Sequence, residues 1–167
     1  MGEFKMSAVL KTAIADLFGL DHPQHKWCEH NKDSKTKVFG DNDFSYREVQ
    51  ISLSEEWMKP NFGEDIFGRI AMKRLGRTLD KIHFVVSDVG FPHEVVPIIR
   101  GLASKHEIRL LKISRPGCDF SKDSRDWIHG ADVGIREDTI NNRHDLELYE
   151  EQIKIWLRSV KLLPKAG

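Results

Sequence analysis

The run Ser87-Asp88-Val89-Gly90-Phe91-Pro92-His93-Glu94 puts a carboxylate where an apolar strand runs out. An acidic side chain there can hold a metal ion, directly or through water, as in nucleotide-binding sheets. It can equally cap the helix that Pro92 opens. Spacing leaves these two readings balanced. A second group is Ser114-Arg115-Pro116-Gly117 with Lys122 and Arg125 behind it. Arg at a strand's carboxyl end, with further cations in the next loop, suits phosphate recognition. Asp119, Asp123 and Asp126 lie among those cations and favour an ordinary solvated loop. Arg47 and Gln50 are one helical turn apart and share a face. A guanidinium can hold a phosphate while a carboxamide pairs with a base edge. Exposed Arg and Gln are also common on helices that bind nothing. His22, His25, Cys28 and His30 could each ligate a metal, but their spacing matches no usual structural zinc pattern. A polar loop with scattered histidines is the better reading.

The elements that must position these residues follow from length and pattern. At 167 residues the chain is expected to form a single domain. Basic and acidic residues both number 26, which disfavours general nucleic-acid binding. No apolar run reaches the roughly 18–20 residues of a membrane span. The start MGEFKMSAV lacks a signal-peptide layout, and Cys28 and Cys118 form no CxxC pair. These features together predict a cytoplasmic protein with no membrane partner.

Periodicity predicts a short strand at 4–7 and then a helix carrying Val9, Leu10, Ala13, Ile14, Leu17 and Phe18 on one stripe. Residues 20–43 read as a long polar loop. Ser45 with Glu48 makes a capping box for a helix from Tyr46 to about Trp57. In that helix Val49, Leu53 and Trp57 face inward and Pro60 is the stop. A further helix is expected over 63–75. The run 82–88 is nearly continuous in apolar residues, as a buried parallel strand should be. A helix from Pro92 and a strand at 108–113 complete a βαβ unit. Residues 115–135 read as a lid-like loop and Thr139-Ile140 as a short strand. A last helix spans about 145–160, with Leu146, Tyr149, Ile153, Trp156 and Val160 as its stripe. The fold class expected is α/β, with a mainly parallel sheet flanked by helices. Ligands in such sheets sit beyond the carboxyl ends of the strands, where Asp88 and Arg115 fall.

The run FVVSDVGFPHEVVPIIR, followed by LLKISRPG, resembles the phage-type deoxynucleoside monophosphate kinases, a branch of the P-loop nucleoside monophosphate kinases. That family carries Ser-Asp-Val-Arg-Phe-Pro-Asn-Glu after a strand and a later Arg-Pro-Gly. Phe4 to Leu20 looks like its second strand and helix. Ser45-Tyr-Arg47-Glu-Val-Gln50 is similar to its Pro-Arg-Glu-Leu-Leu-Gln segment. Trp57 through Phe67 looks like its Phe-Gly-Asp-Asp-Ile/Val-Trp run. Thr139-Ile140-Asn141-Asn142 followed by Leu146 resembles its Ile-x-Asn-Asp-Gly-Thr-Leu ending. The segments keep the family's order over roughly residues 4–155.

The resemblance implies a monophosphate-acceptor role for Arg47 and Gln50. It implies a place for Asp88 beside magnesium and acceptor. Arg115, with Lys122 and Arg125, would form the lid side. The departures fall in the catalytic parts. No GxxxxGK[ST] occurs in the sequence, although that loop supplies the N–H cradle, the lysine and the magnesium-binding hydroxyl. Gly90 stands where the family has Arg, and Arg125 where it has His. The implied fold is therefore kinase-like with the first strand, P-loop and helix missing. In the family that strand lies mid-sheet, between those matching 82–88 and 108–113. Its loss predicts a rearranged sheet or a homo-oligomer. The implied function is that of a non-catalytic homologue that binds a deoxynucleoside monophosphate, a host protein, or both, as modulator or inhibitor in the host cytoplasm of a bacteriophage. The alternative is an active kinase with an unusual donor site, using ATP and magnesium.

Overall fold

A computed structural model describes residues 2–77, 83–121, 126–143 and 145–164. They form an α/β protein with short parallel sheets and helices. The chain divides into two compact units, Met1–His106 and Glu107–Gly167.

The first unit starts with β1 (Gly2–Phe4), which runs parallel to β4 (Phe84–Val86). Gly2 pairs with Phe84 and Phe4 with Val86, a constant offset of 82 positions along the chain. That offset carries past the strands and sets Asp88 beside Met6, the first residue of helix α1 (Met6–Leu17). Met6, rather than Phe4 to Ser7, therefore opens the next element: the expected strand at 4–7 stops at Phe4 because α1 begins.

Residues 20–43 are largely structured, which corrects the loop expected there. Helix α2 (His22–His30) begins with a complete capping box, in which Asp21 accepts from the Gln24 amide and Gln24 accepts from the Asp21 amide. Pro23 sits in its first turn, where a missing N–H costs nothing. The strands β2 (Lys35–Thr36) and β3 (Phe44–Ser45) pair antiparallel. Between them a 3-10 turn, Lys37–Phe39, lowers Phe39 into the core.

Ser45 and Glu48 form the expected capping box on α3 (Tyr46–Ile51). The helical path then widens into a π-helical stretch, Ser52–Met58, and resumes as α4 (Lys59–Phe62). Pro60 does not stop it. Proline is tolerated there because it falls in the first turn of a new α-helical register, and the stop comes at Gly63 with φ +96°. The π stretch also changes the phase. Ser54 and Lys59, five residues apart, are both buried, whereas Trp57 is 53% exposed and rests edge-on against Phe62.

Leu10, Ile14, Cys28, Phe39, Tyr46 and Phe67 make the core of this unit. The Tyr46 hydroxyl, wholly buried, is satisfied by His25 Nε2 at 2.9 Å. Helix α5 (Ile66–Leu75) packs on α6 (Pro92–Leu102). They approach so closely that a Cβ on Gly68 would collide with the Glu94 carbonyl.

The second unit contains β5 (Arg109–Ser114) and β6 (Arg136–Asn141), paired parallel over six residues. One helical turn, α7 (Gly130–Val133), leads into β6, and α8 (Leu146–Ser159) follows it. The lid-like reading of 115–135 is replaced in part by built structure: α7, buried Ile128, and Phe120 edge-on against Trp127. The weak strand expected at 139–140 is three times as long, because it has a full-length partner in β5.

The expected βαβ sheet is not formed among the described residues. β4 pairs with β1 and β5 with β6, each in a sheet of two strands. Of the 82–88 strand, Ile82 lies outside the described residues and only Phe84–Val86 is extended. Gly68→Ala is expected to destabilise by about 1–3 kcal/mol despite alanine's better helix propensity, since backbone cannot yield as a side chain can. Gly101→Ala, whose new methyl would meet only the flexible Met72 side chain, should cost less. Urea unfolding of both variants measures the difference.

Candidate functional site

The site begins with the helix cap. Asp88 accepts from the Met6 amide at 2.6 Å through one oxygen and from the Ser7 amide at 3.0 Å through the other. Both bonds satisfy N–H groups that a helix start leaves unpaired, and the carboxylate faces the positive end of the α1 dipole. Asp88 is thus a helix cap, but for α1 rather than for the helix at Pro92, which has no side-chain cap.

Beside this cap lies a cavity of about 160 Å³ lined by Ser7, Lys59, Phe67, Asp88, Phe91 and Glu94, among others. Lys59 is 5% exposed and Glu94 6%. The Lys59 ammonium pairs with the Glu55 carboxylate at 2.8 Å and sits 4.6 Å from the centroid of the Phe91 ring. Both contacts offset the cost of burying a charge. Among the described residues the Glu94 carboxyl has no hydrogen-bond partner. Burial pushes its pKa up to about 7; Lys59 opposes that rise, and the Asp88 and Glu55 charges add to it. A carboxyl titrating near neutrality can act as hydrogen-bond donor or acceptor, and such groups concentrate at functional sites.

The sequence reading did not single out Lys59 or the side chain of Glu94. Lys59 sits beside Met58 and Pro60 in an apolar setting, but its inward phase comes from the π-helical stretch. Glu94 lies in the singled-out run, two residues after Pro92. What marks it is the close α5–α6 packing that closes over it.

The expected site residues are distributed as follows. Arg47, exposed, pairs with Asp33 at 2.5 Å. Gln50 donates to the Tyr46 carbonyl one turn back, at 3.3 Å. Neither lines the cavity. Arg115 belongs to the second unit and is exposed at the end of β5. Its carbonyl accepts from the Cys118 amide at 3.1 Å, closing a tight turn over Pro116 and Gly117, whose φ is +75°. Pro followed by a positive-φ Gly is the pairing such a turn requires, so Arg-Pro-Gly has a structural reason here. Lys122 and Arg125 lie outside the described residues.

Magnesium does not fit the residues present. Both Asp88 oxygens accept backbone N–H groups, the neighbouring cation is Lys59, and no trio of metal-capable side chains gathers among the described residues. The same holds for His22, His25, Cys28 and His30. They lie on α2, where His25 bonds Tyr46, His30 bonds the Lys26 carbonyl, and Cys28 is buried. No helix among the described residues is long and apolar enough to cross a membrane.

Compared with known protein families, characterised proteins and solved structures, the chain matches none.

The raised pKa of Glu94 fixes the sign of a pH effect. The folded state binds its proton more tightly than the unfolded state does. The stabilising contribution is full below about pH 4.5 and lost as pH rises through about 7. Glu94→Gln is therefore expected to raise stability at pH 8 by up to roughly 3 kcal/mol while changing it little at pH 5. Thermal unfolding of both proteins across that range checks it.

Proposed function

We propose that this chain is a non-catalytic relative of the phage-type deoxynucleoside monophosphate kinases, one that holds the nucleoside part of a deoxynucleoside monophosphate at the Lys59–Glu94 cavity and acts as a modulator rather than a transferase. One observation carries the reading. Three of the segments that resemble the family converge on a single cavity. Ser7 and Leu10 come from the first, Lys59 and Phe67 from the third, and Asp88, Phe91 and Glu94 from the run after β4.

The chemistry of the lining supports a base or sugar there rather than a phosphate. Phe67 and Phe91 supply apolar walls, while Ser54 and Glu94 supply hydrogen-bonding groups. Glu55, Asp88 and Glu94 outnumber the single cation Lys59, so a phosphate would meet net negative charge. At about 160 Å³ the cavity is smaller than the usual ligand pocket and suits part of a nucleotide, with the phosphate outside it. Gly90 and Arg125, which stand where the family carries Arg and His, support the non-catalytic half of the reading, because phosphoryl transfer rests almost wholly on such positioned charges.

Calorimetry and thermal shift with the four deoxynucleoside monophosphates, and separately with ATP and magnesium, test this. At least one monophosphate is expected to stabilise the protein, by about 2.7 kcal/mol at a hundredfold excess over its Kd. Lys59→Met and Glu94→Ala should weaken that response. ATP should neither bind nor be turned over. No response to any monophosphate would overturn the nucleotide reading; phosphoryl transfer from ATP would replace it with the kinase alternative.

A further inference from the structure

Helix α8 has two different apolar lines. Tyr149, Ile153, Trp156 and Leu157 are half-buried, and the Trp156 indole N–H donates to Asp138 of β6 at 3.0 Å, which fixes the rotation of the helix. Leu148 and Ile155 lie on another line, seven residues and thus two turns apart. They are 53% and 57% exposed. Leu146 at the helix start is 69% exposed, although its spacing predicts an inward position. No residue of α8 is fully buried. The helix therefore presents an aliphatic stripe that its own unit does not use.

The charge around that stripe is divided by halves. Glu147, Glu150 and Glu151 precede its midpoint, and Lys154 and Arg158 follow it. Within one helix only Glu151 reaches the cations, at 3.1 Å from Arg158 and 3.8 Å from Lys154. Glu147 and Glu150 have no ion pair among the described residues. A helix laid parallel would bring like charges together. A helix with the same sequence laid antiparallel would bring each acidic half alongside the other's basic half.

We propose that the Leu148–Ile155 face of α8 is a self-association surface, on which a second copy of this chain lays its own α8 antiparallel. The contact is isologous: Leu148 of each copy meets Ile155 of the other across a two-fold axis near Glu151 and Gln152. Glu147 and Glu150 then find their cations on the facing helix, and the aliphatic stripe leaves water. The surface is independent of the nucleotide reading, since it uses no residue of the cavity.

Sedimentation equilibrium of the full chain tests the proposal. The expected result is a monomer–dimer equilibrium whose dimer fraction rises with protein concentration and falls with salt. Leu148→Glu combined with Ile155→Glu should give a monomer with unchanged circular dichroism. Orientation is tested by charge exchange. A Glu147→Lys/Glu150→Lys/Lys154→Glu/Arg158→Glu variant, with the two halves exchanged, should dimerise with itself, but a tagged copy of it should not carry the wild type with it, since antiparallel pairing would then set like charges together. A wild-type protein that stays monomeric at every soluble concentration would overturn the proposal, whatever else then binds α8. So would a dimer indifferent to the Leu148 and Ile155 changes. Mixed dimers of that variant with the wild type would overturn the antiparallel arrangement.

Discussion

The carboxylate of Asp88 ties together two distant stretches of the first unit. It accepts from Met6 and Ser7, residues more than eighty positions earlier, and so fastens the start of α1 to the end of β4. The bond depends on strand register. Because Gly2 faces Phe84 and Phe4 faces Val86, the same offset puts Met6 opposite Asp88. A slip of one residue would leave the carboxylate beside a different amide and turn every strand side chain to the other face. With the cap in place, α1 delivers Leu10 and Ile14 to the core, and Ser7 and Leu10 to the cavity wall.

The cavity depends on two further constraints. One is the contact between α5 and α6 at Gly68, close enough to bury Glu94 and raise its pKa. The other is the π-helical stretch, which turns Lys59 inward and Trp57 outward. A carboxyl and an ammonium thus share one small space, with Phe91 beneath the ammonium. Burial of this kind is a cost to stability, and the pH dependence of Glu94 measures part of it. Groups kept at such a cost are where binding is best sought.

The two units differ in how their helices are used. In the first, α1, α3 and α5 send side chains into one apolar cluster, and the Tyr46 hydroxyl it encloses is matched by His25. In the second, β5 and β6 are bound together by cross-strand charge as well as by backbone, with Lys112 paired to Glu137 at 2.7 Å and Arg109 to Asp138 at 3.4 Å. Helix α8 rests on this pair by one edge and leaves an aliphatic line outside.

Local signals in the sequence determined much of the secondary structure. Ser45 with Glu48 marked the start of α3, and Pro92 the start of α6. The aliphatic runs around Val85 and Leu111 marked the strands. These are interactions within a few residues, and a sequence carries them directly. The box at Asp21 and Gln24 was equally legible, but the polar stretch around it reads as loop. Other features needed the tertiary structure. Which strand pairs with which, and in what register, is a contact between distant residues, and it gave Asp88 a helix to cap that its neighbours do not reveal. Helical phase through Ser52–Met58 turned Trp57 outward, against its expected place on the inner stripe, and carried Lys59 inward, because a widened turn shifts every position after it. The state of Glu94 depends on how closely two helices approach at a glycine, and no spacing along the chain encodes that distance.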